Sequence, residues 1–259
     1  MKNKIYRFIN KTKSIYNFIF YFLFKRLTRA DFSGDGLICL QKTLGFTKKN
    51  SFSAIIERNH ETNEDKSRIY RIHTLWWAAQ IGLSIDGDFV ECGVYRGFFS
   101  KVLCDLIQFE KIDKTFWLYD SFCGFSPKYT SANDFSHGKL FLNIAKSEYE
   151  QEDHYAYVKK RFQRYDNVKI IKGFLPDSLE KDCSSRIAYL HIDLNSPAAE
   201  LLTLEKIYPR VSKGAPIIFD DYGWKNFRKQ HEVIDKFMQN RDEKILELPT
   251  GQGLVIKNR

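Results

Sequence analysis

The sequence is poor in the features that define several large protein classes. It has five cysteines in 259 residues, widely spaced and never in a CxxC pair, which disfavours a disulfide framework and a structural zinc site. It lacks the GxGxxG motif, which disfavours a nucleotide-sugar oxidoreductase. The apolar run at 18–24 is far shorter than the roughly 20 residues that span a bilayer, and no small-residue cleavage site follows it. These absences predict a cytoplasmic protein with reduced thiols.

Acidic residues are missing from the first 29 positions, which hold eight of the 41 lysines and arginines. The rest of the chain carries 33 basic against 32 acidic groups, although the whole chain has a net charge of +9. The excess charge is therefore local, and it predicts no nucleic-acid-binding groove in the body of the protein.

This basic segment encloses an aromatic stretch, IYNFIFYFLFKRL, at 15–27. Cationic ends around an apolar centre suit a helix lying on the inner, anionic face of a membrane. Three interpretations stay open: peripheral membrane contact through residues 1–29, a helix that packs on the body or on a second copy in a homo-oligomer, and an unstructured tail.

Hydrophobic periodicity indicates how the rest of the chain folds. Helical spacing recurs within 31–85, at Ile69, Ile72, Leu75, Trp76 and Ala79. Short apolar runs then alternate with helix-length segments, as in βαβ units, at 89–92, 115–119, 168–171, 187–192 and 215–219. KILEL and LVIK, on either side of PTGQG, predict a closing hairpin.

We therefore predict a Rossmann-like α/β fold with a mostly parallel seven-stranded sheet, an antiparallel C-terminal hairpin and an N-terminal helical extension. The predicted regions are a basic aromatic segment at 1–30, a helical region at 31–85 and an α/β domain at 86–259. The long polar stretch at 125–155, which holds Asp134, His137 and Tyr149, is predicted to be a lid over a bound acceptor substrate.

The first predicted strand runs into a glycine turn, FVECGVYRGFFS. Glu91 at the strand end resists a pyrophosphate and suits a ligand with a cationic portion. The next strand ends in Asp120, where an acid is placed to hydrogen-bond ribose hydroxyls. An adenosyl ligand without phosphates, such as S-adenosylmethionine, fits both features. The alternatives are a purely structural turn and a helix-capping role for Asp120.

Three carboxylates follow the two later strands. IAYLHIDLN places His191, Asp193 and Asn195 at alternate positions, and PIIFDDYG places Asp220 and Asp221 at a strand end. If the strands are neighbours, the acids repel one another unless a cation joins them, and oxygen ligands favour Mg²⁺, Mn²⁺ or Ca²⁺ over zinc. The alternative is a turn-forming Asp-Asp pair beside an unrelated aspartate. His191 is interpreted as a packed strand residue or as a base.

Five stretches of the sequence together resemble the macrocin O-methyltransferase family of sugar O-methyltransferases. They follow in the family's order over roughly residues 65–237: GDFVECGVYRG, LYDSFCGF, VKIIKGFLPDSL, LHIDLN and YPRVSKGAPIIFDDYG. The resemblance implies a class I methyltransferase fold, S-adenosylmethionine as methyl donor, and Mg²⁺ that holds a sugar acceptor.

The resemblance also implies residue roles, which we state here as expectations. The residues expected at the methionine end of the donor are Glu91, Cys92, Gly93, Val94, Tyr95, Gly97 and Ser100. Asp120, Ser121 and Phe122 are expected at the ribose, and Gly173 and Phe174 beside the adenine. Asp193, Asp220 and Asp221 are expected to bind the metal.

The chain departs from the family at one position. It has Asn195 where the family often has a second aspartate that could act as general base, and an amide cannot accept that proton. Either the metal alone acidifies the hydroxyl, or His191 helps, or the activity is reduced. The expected function is metal-dependent sugar O-methylation with Asp193, His191 and Asn195 near the reaction. A non-catalytic donor-binding or membrane-associated scaffold is the alternative.

Overall fold

The computed structural model describes residues 29–180 and 183–258, together with Leu23, Arg26 and Leu27. The chain separates into two compact units, Met1–Tyr70 and Arg71–Arg259. Among the described residues, no helix is both long and apolar enough to cross a membrane. Most of the basic segment at 1–29 lies outside the described residues, so its membrane contact stays a prediction.

The first unit contains a small hairpin followed by short helices. Strands β1 (Phe32–Gly34) and β2 (Leu37–Cys39) pair antiparallel. Asp35 and Gly36 both have positive φ, as a tight hairpin turn requires. Helices α1 (Phe52–Asn59) and α2 (Asn63–Ser67) follow, and a reciprocal capping box between Thr62 and Asp65 starts α2. Residues 31–85 therefore contain a hairpin besides the helices that the sequence predicts.

The second unit is built on one large sheet. Its strands are β3 (Asp88–Cys92), β4 (Phe116–Asp120), β5 (Val168–Lys172), β6 (Ile187–Ile192), β7 (Pro216–Phe219), β8 (Leu246–Glu247) and β9 (Gly253–Ile256). They form a seven-stranded sheet within the described residues, in the order β5-β4-β3-β6-β7-β9-β8. The strands β3 to β7 are parallel, and β9 pairs antiparallel with both β7 and β8. The predicted fold, with its antiparallel C-terminal hairpin, is confirmed.

Helices precede the sheet and lie between its strands. Helix α3 (Ile69–Gly82) precedes β3, and α4 (Phe98–Ile107) lies between β3 and β4. Helices α5 (Gly138–Tyr149) and α6 (His154–Arg161) lie between β4 and β5, α7 (Pro197–Ile207) between β6 and β7, and α8 (Arg228–Met238) between β7 and β8. The central strands are buried along their whole length because helices cover the parallel sheet, as the unbroken burial of β6 and β7 shows. The predicted lid at 125–155 is not a plain loop, since it contains α5 and the start of α6.

Candidate functional site

The strand order creates a switch point between β3 and β6. The chain runs from β3 outward to β4 and β5, and then crosses to β6 on the other side of β3. Ligands of open α/β sheets bind beyond the carboxyl ends of the strands at such a point. The glycine turn after β3 and Asp193 after β6 both lie there.

The glycine turn is shaped by close approach of the neighbouring chain. Gly93 has φ 93°, and a Cβ at this position would overlap the carbonyl oxygen of Asp193. The backbone N–H of Asp193 donates to the carbonyl of Cys92 at 2.7 Å, which fixes the two strand ends together. Gly97, with φ 71°, precedes α4, which begins at Phe98. These contacts give Gly93 and Gly97 a structural role, whether or not a ligand approaches them.

Asp120 fastens the same turn. One carboxylate oxygen accepts the backbone N–H groups of Val94 and Tyr95 at 2.7 and 2.8 Å, and the other accepts that of Phe122 at 2.6 Å. The hydroxyl of Ser121 donates to the carbonyl of Gly124 at 2.6 Å. A carboxylate has about four acceptor positions. Asp120 therefore organises the donor-side loop and keeps some capacity for a ribose hydroxyl.

The other residues predicted for the donor lie along the same edge of the sheet. The N–H of Gly173 donates to the carbonyl of Asp120 at 2.9 Å, so Gly173 and Phe174 adjoin the end of β4. The hydroxyl of Ser100 is buried and has no hydrogen-bond partner among the residues that the structure describes. The residues predicted for the donor include acids but no basic side chain. This set suits a sulfonium ligand without phosphates and is unsuited to a pyrophosphate.

Helix α5 of the predicted lid ends over the turn. The ring of Tyr149 lies 5.4 Å from that of Tyr95 and 5.0 Å from that of His154, centroid to centroid. Burial, reinforced by the carboxylates of Asp120 and Asp193, raises the pKa of Tyr149 well above its usual value. The stretch that was predicted to cover the acceptor therefore contacts the glycine turn, which is the side predicted for the donor. Asp134, by contrast, accepts the N–H of Ser131 at 2.7 Å and caps a helical turn.

The three predicted carboxylates converge. Strands β6 and β7 are adjacent and parallel, and Asp193, Asp220 and Asp221 follow their ends. One oxygen from each of these side chains lies within 4.8 Å of the others. Such a cluster could bind a hard cation through oxygen ligands.

The structure adds a residue that the sequence analysis did not identify. The guanidinium of Arg71, on α3, donates from Nη1 to Asp220 Oδ2 and to Asp221 Oδ1, the latter at 2.9 Å. Arg71 is 5% exposed, and its Cζ lies 5.0 Å from the centroid of Trp224. Arg71 therefore supplies part of the counter-charge that the three acids require.

His191 lies at the centre of this network and is completely buried. Its Nδ1 is 2.9 Å from Glu91 Oε1, and its Nε2 is 3.5 Å from Asp220 Oδ1. Burial disfavours the imidazolium, but the hydrogen bonds and charges of Asp220 and Glu91 outweigh burial and raise the pKa of His191 to about 10. A proton acceptor needs an accessible nitrogen with a pKa near the working pH. The geometry therefore favours the interpretation of His191 as a packed, charged strand residue.

The two buried aspartates differ in their electrostatics. Burial opposes ionisation of Asp220, yet Arg71, His191 and Gln252 outweigh it and lower its pKa; the Nε2 of Gln252 donates to Asp220 Oδ1 at 2.8 Å. The pKa of Asp193 is raised well above its usual value by burial and by repulsion from Asp220 and Asp221. Asp220 is therefore held in its ionised form, whereas the surroundings of Asp193 favour its protonated form.

Strand β6 does not continue as far as Asn195, so Asn195 does not share a strand face with His191. Strand β6 ends at Ile192, and Asn195 has φ 54°, so the chain has already turned. Its side-chain amide donates to Asp193 Oδ1 at 2.9 Å. Asn195 can orient Asp193, and it has no group that could accept a proton from a substrate.

The formal charges of the network favour a divalent cation. When all four are ionised, Glu91, Asp193, Asp220 and Asp221 contribute four negative charges, while Arg71 and His191 contribute two positive charges. Without a cation the raised pKa of Asp193 favours its neutral form, because unpaired negative charge in a largely buried region is costly. A divalent cation would balance the two negative charges that remain when Asp193 is ionised. The donor set, all oxygen, and this remaining charge both fit Mg²⁺ or Mn²⁺.

The fold is that of the class I methyltransferases, which use S-adenosylmethionine. The structure superposes on that of the O-methyltransferase NovP with a TM-score of 0.63 at 22% identity, over 74% of this chain and 81% of that one. It also superposes on PaMTH1 of Podospora anserina, solved with bound SAH, with a TM-score of 0.51 at 14% identity, over 86% and 98% of the two chains.

Residues 65–247 match the family Macrocin-O-methyltransferase (TylF), and the chain belongs to this family. It is 27% identical to mycinamicin III 3''-O-methyltransferase of Micromonospora griseorubida over 72% of this chain and 82% of that protein. It is 30% identical to demethyldecarbamoylnovobiocin O-methyltransferase of Streptomyces niveus over 55% of each chain. The protein is therefore an O-methyltransferase, as the resemblance implied.

Proposed function

We propose that this O-methyltransferase moves the methyl group of S-adenosylmethionine to a hydroxyl of a sugar ring, in a glycan or a glycosylated metabolite. We propose further that Mg²⁺, or Mn²⁺ in its place, binds Asp193, Asp220 and Asp221. The observation that carries the proposal is the convergence of these three carboxylates beside the glycine turn at the switch point. The mycinamicin relative, a 3''-O-methyltransferase, is consistent with this class of acceptor.

The donor would lie along the ends of β3, β4 and β5. The turn from Glu91 to Gly97 and the nearby Ser100 would surround its methionine end. Asp120, through the acceptor capacity that its three backbone N–H bonds leave, would bind the ribose. S-adenosylmethionine supplies an already activated methyl group when bound, so positioning and exclusion of water are the main tasks left to the protein. Tyr149, above the turn, is placed to exclude water.

The acceptor would lie at the carboxylate cluster. A bound Mg²⁺ would lower the pKa of a hydroxyl and orient it toward the donor. Asp193, Asp220 and Asp221 would bind the cation, and Asn195 would hold the orientation of Asp193 through the amide that donates to Asp193 Oδ1. Asn195 cannot act as a base, and His191 is enclosed by carboxylates. Acidification of the acceptor hydroxyl by the metal alone therefore agrees better with the geometry than help from His191.

A transfer assay tests this proposal. The protein is incubated with S-adenosylmethionine, Mg²⁺ and a panel of glycosides that present vicinal hydroxyls, and mass spectrometry locates the added methyl group. We expect a methyl group on a sugar ring. Methylation confined to phenols or to other non-sugar hydroxyls would contradict the proposed acceptor class.

A further inference from the structure

We infer that Arg71 is the resident counter-ion of the carboxylate cluster, and that it competes with the divalent cation for Asp220 and Asp221. The inference rests on the proposed function, because it takes the metal to bind these acids. It concerns a residue on α3, outside the strand ends that carry the predicted ligands.

Hydrogen bonding already occupies both oxygens of Asp220. Oδ1 accepts from Gln252 at 2.8 Å and faces His191 Nε2 at 3.5 Å. Oδ2 accepts from Arg71. Since Gln252 and His191 are completely buried, Oδ2 is the oxygen that a metal can reach with the least rearrangement, and Arg71 is the group it meets there.

The same nitrogen of Arg71 also binds Asp221. Nη1 lies 2.9 Å from Asp221 Oδ1, so a single nitrogen, which carries two N–H bonds, bridges two of the three predicted ligands. A guanidinium and a divalent cation on the same oxygens repel each other strongly, because the region is largely buried. The cation must therefore displace Arg71 from these oxygens, or bind more weakly beside it.

Trp224 offers a place for the displaced guanidinium. Its ring centroid lies 5.0 Å from Arg71 Cζ, within the range of a cation–π interaction. Arg71 can therefore leave the carboxylates without losing all of its partners. Arg71 is therefore a positioning residue. It keeps the acids in place before the cation binds, and it lowers the affinity of the cluster for that cation.

Direct metal binding tests the inference without a turnover measurement. Mn²⁺ binding is followed by the electron paramagnetic resonance signal of free Mn²⁺, for wild type and for Arg71→Met. We expect Arg71→Met to bind Mn²⁺ about tenfold more tightly or better, because removing the repulsion is worth more than the free energy of a tenfold change. Mn²⁺ should also raise the melting temperature of Arg71→Met more than that of wild type.

Further variants separate charge from folding effects. Arg71→Gln should behave like Arg71→Met, and Arg71→Lys, which keeps the charge, should stay close to wild type. Arg164→Met is the matched control, because Arg164 pairs with a different aspartate, Asp105. It should leave Mn²⁺ affinity unchanged.

The outcomes distinguish this inference from the proposed function. If wild type binds Mn²⁺ and Arg71→Met and Arg71→Gln bind it equally or more weakly, Arg71 does not compete and the inference is wrong. If neither wild type nor any Arg71 variant binds Mn²⁺, the proposed metal site is wrong, and the competition is wrong with it.

Discussion

At the scale of single residues, the site is a chain of alternating charges. Glu91, His191, Asp220, Arg71 and Asp221 follow one another through contacts between opposite charges. Each ion is stabilised by a neighbour of the opposite sign, which is the condition under which charges tolerate burial. Replacing one partner should therefore leave its neighbour uncompensated.

His191 gives a pH-dependent prediction. Its pKa is about 10 in the folded protein, against about 6.5 in an unfolded chain. Protonation of His191 should therefore stabilise the fold fully below pH 6.5, and this contribution should be lost as the pH rises toward 10. The difference in unfolding free energy between wild type and His191→Gln, measured in EDTA, should shrink by a few kcal/mol over that range.

His154→Gln is a control, because its effect on the free energy of unfolding should change with pH in the opposite direction. Burial and the charge of Arg96 lower the pKa of His154, so the fold favours its neutral form. Its contribution is present above the unfolded pKa and is lost as the pH falls below it. A difference between wild type and His191→Gln that is constant, or that grows with pH, would show that His191 is not held as a cation.

Sequence reasoning located the acids but not their counter-charge. Asp193, Asp220 and Asp221 follow recognisable strand ends, and their convergence required only that the two strands be neighbours. Arg71 lies far away in the sequence, and its pairing is a property of the tertiary fold. A signal was available, since Arg71, Leu75, Ala79 and Gly82 share one buried helix face, where an arginine needs an acidic partner.

At the scale of elements, the glycine turn after β3 lies between the two halves of the proposed site, one for the donor and one for the acceptor. Gly93→Ala should destabilise the protein by more than about 3 kcal/mol, because the new Cβ overlaps the Asp193 carbonyl and φ is strained. Gly214→Ala is the matched control, since Gly214 also has positive φ but its Cβ would lie 3.5 Å from Ile85. It should cost about 1 kcal/mol.

Chemical denaturation measures both variants. A cost for Gly93→Ala no larger than that for Gly214→Ala would mean that the close approach of the β3 and β6 ends does not constrain the turn. A large cost restricted to Gly93→Ala would support the turn as a structural joint between the two halves of the site.

The strands were predictable because each is a short apolar run bounded by turn residues, and β3 to β7 all appear where the runs lie. The hairpin of β1 and β2 was missed, although Asp35-Gly36 is a recognised turn signal. The alternation of His191, Asp193 and Asn195 predicts a shared face only if the strand continues, and β6 ends at Ile192. The order of the strands places Asp193 beside the glycine turn. This order depends on tertiary packing, and no local sequence pattern predicts it.

At the scale of the whole molecule, the family match begins at residue 65 and the second compact unit at Arg71. The basic segment at 1–29 precedes both. We propose that it attaches the enzyme to an anionic membrane surface, on the basis of its eight basic residues and its aromatic centre.

Liposome co-sedimentation tests this attachment. Full-length protein should sediment with anionic vesicles at low salt and less so at high salt, because surface charges are screened. A truncation that starts at Asp31 should remain in the supernatant yet keep donor binding. If the 259-residue chain does not sediment with anionic vesicles at low salt, the attachment is wrong and the segment has a packing role instead.

The dependence of methyl transfer on a divalent cation tests the central claim most directly. Methyl transfer is measured with a glycoside that wild type methylates, first in EDTA and again after Mg²⁺ is added in excess. The same measurement is made for Asp193→Asn, Asp220→Asn and Asp221→Asn. The account predicts that EDTA abolishes transfer, that Mg²⁺ restores it, and that each variant loses most of its activity while S-adenosylmethionine binding persists. Full activity in EDTA, with all three aspartates replaceable by asparagine, would show that the acids are structural and that the metal mechanism is wrong.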